Sequence, residues 1–148
     1  THLHHSNKDV VAGDGMDMSV ISIDKKTNTL EYAGAMNPIY LIRNNDLIEL
    51  KPDRMPVGFF DNEDRPFSST SISLKTNDHI YMFTDGFYDQ FGGQNGSKLK
   101  PARFKDLLKS CVGKSAVQQK ENIEHYFAKW KGGHRQVDDI LLMGIVIN

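Results

Sequence analysis

The stretch Ile80–Gly93, "IYMFTDGFYDQFGG", runs a short apolar strand of Ile80, Tyr81, Met82 and Phe83 almost directly into Asp85 and Gly86, with Asp89 four residues after the first acid. An aspartate leaving a buried strand is ordinarily explained by turn chemistry, because Asp and Gly together make tight turns and Asp caps helices. A second instance weakens that explanation. Val137-Asp138-Asp139 stands immediately before "ILLMGIVIN", Ile140–Asn148, a continuous apolar run of β-formers that reads as a central strand. Antiparallel pairing of the two strands puts Asp85 and Asp138 at the same edge of a sheet. Two carboxylates that close repel unless a proton or a cation lies between them, and an oxygen-only donor set suits a hard ion, Mg²⁺ or Mn²⁺. Acids at strand ends are also common turn residues, so a turn and a metal site both account for the spacing.

The surrounding chain is rich in strands. Met18, Val20, Ile21 and Ile23 form one strand signal, "DKKTNT" at Asp24–Thr29 a turn, and "LEYAGA" the returning strand of a hairpin. "IYLIR", "NND" and "LIEL" repeat the arrangement after Asn37-Pro38, and two successive hairpins argue for an antiparallel sheet. "FSSTSISL" and the turn "KTND" lead into Ile80. Beyond Pro101 the period changes. Phe104, Leu107, Leu108 and Cys111 recur at helical spacing, with Gly113 as a stop. A second helix follows, capped by Ser115, with an apolar stripe of Val117, Ile123, Phe127 and Trp130 and an end at "KGG".

At 148 residues the chain suits one domain. With 18 basic against 19 acidic side chains, it lacks the charge excess that favours nucleic acid as a partner. The one cysteine, Cys111, excludes internal disulfides and multi-thiolate zinc sites, and its place on an apolar helix face points to core packing. A reduced, cytoplasmic setting is the expectation. No run approaches the roughly 18 apolar residues of a membrane span. His2, His4 and His5 fall in a polar, aperiodic opening read as a lead-in rather than a metal site. Tyr32, Tyr40, Phe59, Phe60, Phe67, Tyr81 and Phe83 are expected mostly at core strand positions, and Arg54, His79 and His134 carry no pattern that orients them.

"FTDGFYDQFG" followed by "VDDILLMGI", with "GMDMSVISIDKKTNTLEYAGAMNPIYLIR" and "MPVGFF" earlier in the same order, resembles the metal-dependent protein phosphatase (PPM) family, in its bacterial SpoIIE/RsbU-like branch. The likeness runs from about Gly15 to Ile147. It implies an α+β fold, an αββα sandwich of antiparallel sheets under flanking helices with a metal centre at one end. It implies that Asp85 and Asp138 are ligands of a dinuclear Mn²⁺ or Mg²⁺ centre, that Asp89 helps to hold an additional ion, and that Gly86 and Asp139 support them. The nucleophile is then a metal-activated water, no protein nucleophile is needed, and the substrate is phosphoserine or phosphothreonine on a partner protein. Such domains often end multidomain sensors, so an upstream sensor or regulatory domain, membrane-anchored in some cases, is a further expectation.

The resemblance is incomplete. Two upstream family motifs, an acidic "GD" and a "DGxGHG"-like one, are absent, and Asp14 in "GDG" takes no ligand role. Residues 1–14 therefore read as a lead-in and 15–148 as the C-terminal portion of an N-terminally truncated catalytic domain, weak or inactive alone. Leu141 stands where many relatives carry a hydroxyl residue. Sheet edges left open by truncation could be covered by a second copy, giving a homodimer. The rival reading is a non-catalytic, partner-binding signalling module of the same fold.

Overall fold

Asparagine supplies the left-handed backbone that the short turns of this chain need. Asn44 and Asn45 have φ of 51° and 69°, so the two residues form a tight hairpin loop of primed type, and Asn28 (51°) and Asn77 (68°) close two other turns. The computed structural model describes residues 15–58 and 65–148. In chain order these hold β1 (Gly15–Met16), β2 (Met18–Asp24), β3 (Thr29–Ala35), β4 (Ile39–Arg43), β5 (Asp46–Leu50), β6 (Val57–Gly58), β7 (Thr70–Ser73) and β8 (His79–Phe83). The one-turn helix α1 (Gly86–Asp89), β9 (Phe91–Gly92), β10 (Ser97–Lys98), α2 (Lys100–Lys109), α3 (Ala116–Lys131) and β11 (Leu142–Val146) complete the order.

Two antiparallel sheets carry the architecture, one ordered β2-β3-β7 and the other β11-β8-β4-β5. Both expected hairpins are present, β2 with β3 and β4 with β5. Alternation along β4 and β8 shows how the layers stack. Ile39, Leu41 and Ile80 join Leu30 and Tyr32 of β3 in a core between the sheets, whereas Tyr40, Ile42, Tyr81 and Phe83 join Phe104 and Leu108 of α2 in a core beneath the helices. Strands β4 and β8 are thus buried on both faces, and the order of layers is sheet, sheet, helices.

Local signals place the helices. Pro101 lies in the first turn of α2, and Ser115 caps α3 through a reciprocal pair, its side chain accepting from the Gln118 backbone while the Gln118 side chain accepts from the Ser115 backbone. Gly132, at φ 52°, ends α3. Cys111 is fully buried, as expected.

Three expectations are corrected. β11 is an edge strand, not a central one: among the described residues it pairs only with β8, and Met143 is 49% exposed. A continuous apolar run says that a strand needs cover but not which strands flank it. Val117 is 66% exposed and leaves the apolar stripe of α3, where the buried side chain is Gln119, accepting a hydrogen bond from the Tyr81 hydroxyl at 2.8 Å. Phe67 is likewise exposed. Phe59, Phe60, Asp14 and the three early histidines lie outside the described residues.

Candidate active site

β11 runs antiparallel to β8 with Leu142 opposite Phe83 and Val146 opposite His79, so the residues after β8 and those before β11 meet at one end of the sheet. Thr84 fastens them together. Its amide donates to the Leu141 carbonyl at 3.0 Å, while its hydroxyl accepts from the Leu141 amide and donates to the Asp139 carbonyl, both at 2.9 Å. Two residues further, Gly86 lies against the same backbone. A Cβ there would stand 2.4 Å from the Asp139 carbonyl oxygen and 3.2 Å from the Asp138 Cβ, so only glycine lets the two segments approach this closely.

Asp85 precedes α1 with helical backbone angles and an exposed side chain, and its carbonyl accepts from the Asp89 amide at 3.0 Å. Asp138 is also exposed. One of its carboxylate oxygens accepts the Asp139 amide at 2.7 Å, and its carbonyl accepts the Gln136 side chain at 2.8 Å. Asp85 and Asp138 are therefore brought to either side of the Gly86 contact. Asp139 contributes to that contact through its backbone carbonyl. Asp89 sits one turn beyond Asp85 with its carboxylate paired to Lys98 at 2.8 Å, an exposed pair worth at most about 1 kcal/mol.

The structure adds residues with no mark in the sequence pattern. Tyr88 in α1 has its hydroxyl pushed up to about 12, first by burial and then by the negative charges of Asp85, Asp89, Glu49 and Asp17. Asn37 reaches the end of β8 by donating to the Phe83 carbonyl at 2.9 Å, and the Ser19 and Tyr32 hydroxyls each donate to its own carbonyl at 2.7 Å. Gln90, fully buried, donates from one amide nitrogen to the carbonyls of Phe91 and Arg135, each at 2.9 Å, clasping the stretch that leads from α3 to Asp138. Side-chain bonds to backbone leave no periodic signature, which is why Thr84, Asn37 and Gln90 escape a reading by pattern. Asp17, in "GMDMS", looks like any polar strand residue.

The remaining candidates lie elsewhere or stay plain. His79 is buried at the far end of β8, His134 packs near Gly96, and Arg54 is exposed. Leu141 is 59% exposed, and its amide takes a hydroxyl partner from Thr84.

Among the described residues no three or more His, Cys, Asp or Glu side chains gather as a ready metal cage. Asp85 and Asp138 nonetheless fit a hard divalent ion. They are exposed carboxylates on two segments that the Gly86 contact holds together, and Mg²⁺ commonly binds through one or two carboxylates while keeping several waters.

The whole chain, residues 1–148, matches the family model described as Stage II sporulation protein E (SpoIIE). The chain belongs to the SpoIIE family. Its fold is similar to that of the SiaA PP2C domain of Pseudomonas aeruginosa, with a TM-score of 0.82 and 28% identity over 89% of this chain and 52% of that one. The phosphatase domain of the cell fate determinant SpoIIE from Bacillus subtilis, presoaked with Mn, is similar at a TM-score of 0.65 and 15% identity, covering 89% of this chain and 56% of that one. The RsbU and RsbW domains of a Mycobacterium tuberculosis protein match at a TM-score of 0.65 and 22% identity, over 86% of this chain and 35% of that one. This SpoIIE-family chain thus spans about half the length of the first two relatives, and none of the curated proteins compared matches it. The expected α+β phosphatase fold is the one observed.

Proposed function

We propose that this chain belongs to a divalent-cation-dependent phosphatase that removes phosphate from phosphoserine or phosphothreonine of a partner protein in bacterial signalling. The observation that carries the reading is the Gly86 contact, which draws the Asp138 segment against the residue following Asp85. Asp85 and Asp138 would hold the ion, Mn²⁺ or Mg²⁺. When bound, such an ion neutralises charge on phosphoryl oxygens and lowers the pKa of water. The manganese-soaked relative supports that choice of metal. Asp89 lies a helical turn away and would serve an additional ion once released from Lys98.

Thr84 and Gly86 position the acids by fixing the backbone between Asp138 and Leu141. No protein nucleophile enters this scheme. Cys111 is fully buried, and burial pushes its thiol up, so it has neither the access nor the thiolate character that attack requires. A relative that joins RsbU and RsbW domains in one protein supports a regulated role beside further domains.

The test is Mn²⁺-dependent hydrolysis of a phosphoserine peptide by a protein that joins this chain to the remainder of the family's domain, with and without Asp85→Asn. Loss of turnover with an unchanged circular dichroism spectrum is expected. Equal turnover in both proteins would overturn the assignment and favour a partner-binding module.

A further inference from the structure

A second concave site lies beside the acidic edge. At the end of α3 a cleft of about 530 Å³ is walled by Tyr126 and Trp130, floored by glycines including Gly93 and Gly132, and rimmed by Lys129, Lys131 and His134. No acidic side chain lines it, and among the described residues no carboxylate forms an ion pair with Lys129, Lys131 or His134. Arg103 adds a cation 4.8 Å from the centre of the Trp130 ring. Lysines in a last helical turn also offset the negative end of the helix, but that role requires neither aromatic walls nor a glycine floor.

The cleft and the acids are built from the same two segments. Trp130 donates its ring N–H to the Gln90 carbonyl at 3.0 Å, and the Gly93 amide donates to the Trp130 carbonyl at 2.8 Å. A Cβ on Gly92 would stand 2.0 Å from that same carbonyl oxygen, so the β9 backbone is pressed onto the end of α3. One segment runs from Asp85 through α1 to Gln90 and Gly93, the other from Trp130 through His134 and Arg135 to Asp138, and the Gln90 clasp on Arg135 joins them between the two sites. A peptide reacting at the acidic edge has this cleft as its neighbour.

We infer that the cleft binds an acidic segment of the phosphoprotein substrate, beside its phosphorylated residue. The inference rests on the phosphatase reading for its substrate class. Lysines and a histidine complement carboxylates, and the aromatic faces give sequence-tolerant contact.

Trp130 is the only tryptophan of the chain and stands in the wall of the cleft, so its fluorescence reports occupancy directly. The experiment titrates the chain, without metal, with a phosphoserine peptide flanked by Asp and Glu and with a peptide of equal length flanked by Gly and Ser. A saturable change is expected for the acidic peptide. It should weaken about tenfold or more for the neutral peptide and in Lys129→Glu/Lys131→Glu, the scale of losing one or two charge-assisted contacts. Lys25→Glu/Lys26→Glu, in the β2–β3 turn, should bind as the unaltered chain does. No saturable change, or equal affinity in the Lys129 and Lys131 variant, would overturn the inference. The two readings separate. Acidic-peptide binding without phosphate release by the joined protein keeps the cleft and removes the hydrolase, whereas release that ignores Lys129 and Lys131 keeps the hydrolase and removes the cleft.

Discussion

The carbonyl oxygen of Asp139 occupies the place where a side chain on Gly86 would begin, 2.4 Å from an ideal Cβ. Both partners of this contact are backbone, so neither can swing aside as a flexible side chain would. Gly86→Ala should therefore push the Asp138 segment away, costing about 1–3 kcal/mol as an overpacked contact. A chemical-denaturation midpoint reads the loss, and an unchanged midpoint would show that the two segments are not held this closely.

Thr84→Val keeps the shape of the side chain and deletes the hydroxyl that bonds Asp139 and Leu141. About 1–3 kcal/mol should be lost where a donor or acceptor is stranded. The local readout is amide exchange. The Leu141 amide should exchange faster in Thr84→Val and return to its original rate in Thr84→Ser, which restores a hydroxyl.

The core beneath the helices depends on α2. Leu108 is fully buried there beside Phe104, so Leu108→Ala should destabilise the protein by about 2–5 kcal/mol. Val117→Ala, at an exposed position of α3, should stay within about 0.5 kcal/mol of the original protein. Comparable losses from the two would show that the helices are packed on different faces.

His79 gives a pH prediction. Burial holds its pKa below the ordinary value, and the charge of Asp78 offsets this only in part. The unfolded chain therefore takes up this proton first as pH falls. Its share of stability is full above the unfolded value of about 6.5 and is lost as pH drops toward the folded value. Between pH 7.5 and 5.5 the denaturation midpoint should fall further for the unaltered protein than for His79→Gln. Parallel falls would contradict a neutral, buried imidazole.

Much of this fold is legible because its turns and caps announce themselves. Asn44-Asn45 marks a two-residue hairpin, Ser115 with Gln118 a helix start, and Gly132 a helix end. The acids were legible for a different reason: charge at the end of an apolar strand is conspicuous, and the antiparallel register of β8 and β11 brings Asp85 and the Asp138 segment to one edge. What stayed hidden depends on partners distant in sequence. Gln119 is polar yet buried because the Tyr81 hydroxyl meets it, and Val117 is apolar yet exposed because none of the described residues covers its face of α3. Gln90 and Trp130 join segments 40 residues apart, and no local period reports such a link. The edge position of β11 was equally invisible, since sheet order is decided by pairing rather than by the composition of one strand.

Mn²⁺ binding followed by electron paramagnetic resonance tests most directly whether Asp85 and Asp138 belong to one cation site. The unaltered chain should bind Mn²⁺ weakly, as suits an ion held by two carboxylates. Asp85→Asn and Asp138→Asn should each remove that binding, while Asp106→Asn, on the exposed side of α2, should not. Binding that survives in either single variant at the original affinity would contradict the account.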